Sequence, residues 1–210
     1  MNTFRFNTGK NFITSDLHLG HANPFIWEKR GYTSIQDHDD KIIDKINELV
    51  GPNDTLFSLG DFCLNTTEPQ LESYLSRIAC QNIYLIWGNH PNPLHKIYNR
   101  DVSEEFNRND IEVYPFRYKN IIFMGYHIEC IIEGKYVVMN HYPISIWNKC
   151  ADGSYMLCGH SHYSYPNSQA ESTSGLILDC GWDGHKKPLL FSEIVSIMKN
   201  KTIMAVDHHK

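Results

Sequence analysis

The chain lacks any pair of cysteines at CxxC spacing. Its six cysteines, Cys63, Cys80, Cys130, Cys150, Cys158 and Cys180, lie scattered and are assigned neither zinc nor disulfides. They read as free thiols, several of them packed in strands, in a reducing compartment. No apolar run approaches the length of a membrane span, and the opening "MNTFRFNTGK" has no apolar stretch of the kind a signal peptide needs. The expectation is a cytoplasmic protein with no membrane partner. Low-complexity segments and internal repeats are also missing. Nor is positive charge concentrated anywhere. Lys and Arg number 19 against 24 Asp and Glu, a net charge of -5, and no stretch gathers cations as an extended nucleic-acid groove would. A phosphate-bearing substrate must therefore be attracted locally.

What remains is globular: 41% hydrophobic and 20% charged over 210 residues, enough for one core. A single domain is expected over 1–203, followed by a tail at 204–210 whose His208 and His209 read as a frayed terminus. Short apolar runs of strand length occur at Asn11 to Ser15, Thr55 to Leu59, Asn82 to Trp87, Ile121 to Met124, Tyr136 to Met139, Tyr155 to Cys158 and Leu176 to Asp179. Between them, "SIQDHDDKIIDKINELV" puts Ile35, Ile42, Ile43, Ile46, Leu49 and Val50 on one side of a helix, with Ser34 and Asp37 as its cap and Gly51-Pro52 as its stop. "TEPQLESYLSRIA" gives a second helix, capped by Thr67 and Gln70, and a short one is expected after Ser192. A hairpin is expected around Glu133 and Gly134. The order of elements indicates an α/β fold, a sandwich of mixed sheets with helices outside.

The unusual abundance is histidine, at twelve. "FITSDLHLGH" runs from an apolar strand into Asp16, His18 and His21. "TLFSLG" is followed by Asp61, "IYLIWG" by Asn89 and His90, "YVVMN" by His141, and "YMLCG" by His160, Ser161 and His162. In α/β sheets the crevice beyond the carboxyl ends of strands is where ligands bind. Extended alternation is expected to point Asp16 with His18, and His160 with His162, the same way. The adjacent Gly60, Gly88 and Gly159 fit sharp turns or close approach.

Singly, each fragment has an ordinary reading: a solvated strand end, a turn dipeptide, a core histidine. Their ordered joint occurrence does not. Two carboxylates, four imidazoles and an amide oxygen are too many for one tetrahedral zinc but suit two divalent ions sharing a bridging carboxylate. Two ions about 3.5–4 Å apart clamp the attacking and leaving oxygens of an in-line displacement at phosphorus and activate a bridging water, so phosphoester hydrolysis by metal-bridging hydroxide is the expectation. Manganese is favoured, and iron, nickel, zinc and magnesium suit the same ligands.

These blocks resemble those of the calcineurin-like metallophosphoesterase superfamily: D-x-H at Asp16 to His18, G-D at Gly60-Asp61, G-N-H at Gly88 to His90, His141, and G-H-x-H at Gly159 to His162. "SDLHLGHANP", "NDTLFSLGDF" and "CGWDGHKKPLLFSEI" resemble its small single-domain prokaryotic and phage members. The resemblance implies a four-layered αββα sandwich. It implies that Asp16, His18 and His162 hold one ion, that Asn89, His141 and His160 hold the other, and that Asp61 bridges. His90 would stand over the phosphoryl group, stabilising its charge and protonating the leaving oxygen. Two positions depart. Pro91 follows His90 where many members carry an acid, and Leu64 stands where the protein-phosphatase branch carries a carboxylate, which argues against a phosphoprotein phosphatase.

His21 has two readings, a substrate contact at the edge of the site or a turn histidine capping the next helix. Trp147, Arg30 and Lys149 read better as a packed aromatic and two solvated cations than as site walls. The first functional expectation is a phosphodiesterase acting on a small substrate, a nucleotide or cyclic nucleotide. A phosphomonoesterase or nuclease on the same site is the alternative, and a non-catalytic scaffold of the same fold is the third. The sequence leaves the oligomeric state open.

Overall fold

A computed structural model describes residues 4–90, 93–105 and 116–204. Pro91 and the tail histidines lie outside the described residues. Among those described, the strands form two sheets. The larger, in the order β11-β2-β3-β4-β6-β5, is built from β2 (Asn11–Thr14), β3 (Thr55–Ser58), β4 (Asn82–Leu85), β5 (Phe116–Tyr118), β6 (Ile121–Phe123) and β11 (Leu189–Leu190). Its β2, β3, β4 and β6 run parallel, with β5 and β11 antiparallel at the edges. The smaller, β1-β7-β8-β9-β10, comprises β1 (Phe4–Phe6), β7 (His127–Ile132), β8 (Lys135–Asn140), β9 (Tyr155–Cys158) and β10 (Ile177–Asp179). The expected α/β sandwich of mixed sheets flanked by helices is the observed fold.

Side-chain alternation sets the layers. Ile13 of β2 and Phe57 of β3 enter one buried cluster with Val137, Met139 and Leu157 of the smaller sheet. Their neighbours Phe12 and Leu56 face the other way, into a cluster with Ile42, Ile43 and Ile46 of α2 (Ile35–Leu49) and Leu71 and Leu75 of α3 (Glu68–Arg77). Each such side chain contributes about 1.5–3 kcal/mol by leaving water. The caps form where the residue types place them. Thr67 accepts from the Gln70 amide and Gln70 returns to Thr67, a complete capping box. Ser34 accepts from the Asp37 amide, but Asp37 reaches back to Thr33, one residue earlier than the expected box. The Glu133-Gly134 turn joins β7 to β8 as a two-residue hairpin, Ile132 pairing with Lys135 and both turn residues having positive φ.

Further elements emerge that periodicity did not single out: α1 (Pro24–Lys29), α4 (Pro93–Glu105) and α5 (Trp182–His185), with strands β1, β5 and β11. They are short or half-exposed, and tertiary packing rather than local pattern decides them. The last helix, α6, spans Phe191–Met198 and so begins beside the expected Ser192. No helix among the described residues is long and apolar enough to cross a membrane. The arrangement brings the carboxyl ends of β2, β3, β4, β8 and β9 together. Backbone bonds extend each sheet past its strand ends, Asp16 N–H to Gly60 in the larger and Gly159 N–H to His141 in the smaller, and Trp182 N–H to Ser15 joins the two sheets.

Candidate metal centre

The loop after β2 leaves extended geometry almost at once. Asp16 and His18 have φ of 57° and 53°, and Asp61, His160 and His162 stand at 47°, 64° and 48°. All lie in the left-handed region, which costs a non-glycine residue on the order of 1 kcal/mol or more. Strand alternation therefore does not explain why Asp16 and His18 converge, nor His160 and His162. Alternating left-handed turns do. Leu17 is driven into the helix-side core between them while its neighbours turn toward the crevice. The Asp16 and His18 amides are held by the carbonyls of Gly60 and Asp61 at 3.1 and 2.9 Å, so the first loop is moulded on the second.

Five backbone strains at one spot are an observed outlier that calls for a function. Ligand atoms of Asp16, His18 and His162 lie within 4.8 Å of one another, as do those of Asp16, Asp61 and His141. Asp16 belongs to both groups, and the Asp61 carboxylate of the second is 3.4 Å from His141 Nε2 and also 3.9 Å from His18 Nε2 of the first. Asn89 Oδ1 lies 2.8 Å from His141 Nε2 and 2.9 Å from His160 Nδ1. All seven residues singled out from the sequence thus meet in one crevice. The glycines permit it: a Cβ on Gly88 would stand 2.0 Å from Asp61 Oδ1, and one on Gly159 2.0 Å from Ser15 Oγ and 2.4 Å from Asp16 Oδ2.

Do these residues fit a cation? Asp16 Oδ1 and both ring nitrogens of His18 are buried without a hydrogen-bond partner, a costly state unless something else occupies their lone pairs. Burial pushes the Asp16 carboxyl up to about 6, against the pull of His141 and His162. Burial likewise drives His18 far down, to about 2, despite Asp61, and so keeps it in the neutral, ligating form. Burial works to raise Asp61 too, but the His141 bond and charge take it down to about 2. A buried carboxyl held high beside unpartnered nitrogens marks a centre short of positive charge. A divalent ion would supply it.

His90 takes a different position. Its backbone N–H donates to Asp61 Oδ1 at 3.2 Å, and its side chain, 40% exposed, keeps Nε2 3.8 Å from Asp61 Oδ2. It stands at the mouth rather than in either ligand group. His21 does not cap α1, whose N-cap is Asn23; its Nδ1 accepts from the Asn23 N–H, and its ring packs edge-on against His18 at 5.6 Å. Trp147 is a packed aromatic, its Nε1 bonded to Ser154, and Lys149 is exposed over the Tyr136 ring. Arg30 is a correction. Expected as a solvated cation, it is buried, because carboxylate and carbonyl acceptors consume its donors behind the site.

Three residues went unnoticed as site residues. Asp179 is fully buried and accepts from Ser161, Tyr163 and Gly181, pinning the loop that carries His160 and His162. Asp183 accepts from His162 Nδ1 at 2.7 Å, leaving Nε2 to face the crevice. That bond raises the His162 pKa, and His162 together with Arg30 holds Asp183 far below the carboxylate range despite burial. Tyr142, 47% exposed, sets its ring edge-on to His160 at 4.5 Å. For Asp183 a signal was present: it lies in "CGWDGHKK", a segment already noted for its resemblance. Tyr142 directly follows a candidate ligand.

Asp/His groups joined through one carboxylate, at the carboxyl edge of a two-sheet α/β sandwich, define a class of metal-dependent hydrolases. Comparison narrows it. A family model described as calcineurin-like phosphoesterase matches residues 12–210. The Gene 66 protein of Mycobacterium phage D29 is 29% identical over 159 residues, 72% of this chain and 77% of that one. An uncharacterized protein of Methanocaldococcus jannaschii is 27% identical over 81 residues, 39% of this chain and 46% of that protein. Among solved structures, a protein of unknown function from Aquifex aeolicus superposes with a TM-score of 0.58 at 18% identity, over 90% of this chain and all of that one, a likeness of fold alone. The chain belongs to the calcineurin-like phosphoesterase family. Together with its Asp/His clusters, that membership supports a metal-dependent phosphoester hydrolase.

Proposed function

We propose that the chain is a phosphodiesterase acting on a nucleotide or cyclic nucleotide with two divalent ions, manganese first among them. The observation that carries this reading is the position of Asp61 within reach of both His18, at 3.9 Å, and His141, at 3.4 Å. Asp16, His18 and His162 would hold one ion, and Asn89, His141 and His160 the other, with Asp61 shared. Mixed oxygen and nitrogen donors suit first-row divalent metals. Bound there, the ions supply Lewis acidity toward the phosphoryl oxygens and the attacking water.

The chain's own groups do the rest. His90, outside both ligand groups and open to solvent, binds the phosphoryl oxygens and delivers a proton to the leaving oxygen. His21 contacts the substrate from the rim. Tyr142 offers a face on which a base can stack. A groove of about 590 Å³, lined by Asn65, Thr66, Pro93, Lys96, Ile97 and Arg100, begins four residues beyond Asp61 and three beyond His90, and its size suits a nucleoside. All six cysteines are free thiols, which supports a reducing compartment, the cytoplasm.

Manganese-loaded protein should hydrolyse bis-p-nitrophenyl phosphate and at least one nucleotide diester while leaving the p-nitrophenyl monoester almost untouched. His90→Ala should lower kcat by about 10²–10⁴-fold with the metal content unchanged. Equal rates on monoester and diester would overturn the diesterase reading, and a wild-type rate in His90→Ala would overturn the role of His90. One observation favours a nuclease instead: Lys96 lines the groove beside Arg100, although Arg100 is itself paired with Glu68 of the same lining. Oligonucleotide affinity falling steeply with salt would select that reading.

A further inference from the structure

We propose that Arg30 and Asp183 are a positioning pair that locks two ligand loops, one from each sheet, into the geometry that accepts the first ion. The inference rests on the two-ion reading above.

Arg30 closes α1, and its side chain is 1% exposed. A guanidinium carries five N–H donors in a rigid fork, and here each has a partner. Nε and Nη2 grip Asp183 Oδ1 and Oδ2 at 3.1 and 2.7 Å. Nη2 also reaches the Asp16 carbonyl at 2.8 Å, and Nη1 the Leu17 carbonyl at 3.0 Å. The fifth donor meets His38 Nε2 at 3.0 Å. Arginine accepts nothing, so His38 Nε2 is the acceptor and His38 Nδ1–H donates to Asp39 Oδ1 at 2.8 Å. The other Asp39 oxygen takes the Gly20 amide at 3.0 Å and the Tyr74 hydroxyl at 2.7 Å. The network thus runs from His162 through Asp183, Arg30, His38 and Asp39 to helix α3.

Its two working ends are specific. One is the Asp183 carboxylate, which accepts a hydrogen bond from His162 Nδ1–H at 2.7 Å and so fixes the tautomer that leaves Nε2 free. The other is the pair of carbonyls at Asp16 and Leu17, in the turn where Asp16 and His18 both hold strained positive φ. Asp16 and His18 follow β2 of the larger sheet, and His162 follows β9 of the smaller. One buried cation therefore ties together the three residues whose ligand atoms fall within 4.8 Å. As a stabiliser alone a buried ion pair is an indifferent choice, because an apolar pair of equal volume often does as well. Here, in addition, two of its acceptors are carbonyls of the strained ligand turn itself, so the guanidinium fixes the backbone that aims Asp16 and His18.

The test is calorimetric titration of the metal-free full chain with manganese, for wild type, Asp183→Asn and Arg30→Lys, with the surface variant Lys45→Met as control. Wild type should bind two ions. Asp183→Asn should lose about 10–100-fold in affinity at one site and keep the other. Arg30→Lys, which retains the charge but not the fork, should do the same. In the metal-free state, at a pH high enough to keep His162 neutral, nitrogen-15 imidazole shifts should report a single His162 tautomer in wild type and a mixture in Asp183→Asn, a signature that a merely structural role would not move. Two wild-type affinities in both variants would overturn the pair. So would equal weakening of both sites with a lower melting temperature in chelator, or failure of Asp183→Asn to fold, since either would assign Arg30 and Asp183 to stability alone. A wild type that binds no manganese would overturn the two-ion reading instead.

Discussion

Asp16 illustrates how one residue carries a pH dependence whose sign follows from its surroundings. Burial lifts its carboxyl from 3.8 to about 6. A carboxyl raised in the folded state penalises the metal-free fold above that value, and the penalty disappears below the unfolded value. His141 and His162 are raised as well; burial works to lower His141, but Asp61 and Asp16 outweigh it, and the Asp183 bond lifts His162. Their contribution to stability is present below the ordinary histidine value and is lost as pH rises through the folded one. A metal needs all three deprotonated, so protons and cation compete directly. Manganese affinity should fall by more than about tenfold between pH 7.5 and 5.5, as measured by titration at matched ionic strength. A flat profile would mean that Asp16 is not a ligand. At this scale much was legible: seven of the site's side chains could be named from their places after apolar runs. Asp183 and Arg30 could not be ranked with them, because an arginine beside tryptophan and glutamate on α1 has the local appearance of a surface cation. Only the tertiary structure shows its five acceptors.

Helices and strands were legible in proportion to their periodicity and caps. Helix α2 shows Ile42, Ile43 and Ile46 buried together, as the spacing requires, and the Thr67/Gln70 box opens α3 as written. Helix α4 was missed although Leu94 and Ile97 are buried three residues apart. Its polar stretch "NRDVSEE" dilutes the stripe, and packing against α3 supplies what the pattern lacks. The helix matters to the proposed function, because α4 contributes Pro93, Lys96 and Ile97 to the groove proposed for the nucleoside. If that groove receives part of the substrate, Lys96→Ala should raise KM for nucleotide diesters by about 3–10-fold, a loss near 1 kcal/mol, while kcat and the KM for bis-p-nitrophenyl phosphate stay within twofold. Steady-state kinetics on both substrates decides it. Residues two apart do converge, but through left-handed turns at Asp16, His18, His160 and His162 rather than through extended alternation.

For the molecule as a whole, metal and fold should be linked. The candidate ligands come from the ends of strands in both sheets, so an ion bound there would favour the native state over the unfolded chain. At a free concentration one hundred times its dissociation constant, a single ion stabilises by about 2.7 kcal/mol. For a chain of this size that is a rise in melting temperature of roughly 5–10 °C. Scanning calorimetry with manganese and with chelator should show that difference at pH 7.5 and a smaller one at pH 5.5, and an equal shift at both pH values would contradict the proton competition argued from Asp16. The sequence by itself determined the fold class, the order of its main elements and the identity of the seven candidate ligands. Apolar period, cap residues and strand-end position are local properties that one chain displays without folding. Tertiary structure alone decided how those ligands meet: the left-handed backbone that aims them, the loop-on-loop bonds from Asp16 to Gly60 and Gly159 to His141, and the buried Arg30 behind them. The last two join residues far apart in sequence, where spacing along the chain carries no information about distance, and such contacts hold the first in place.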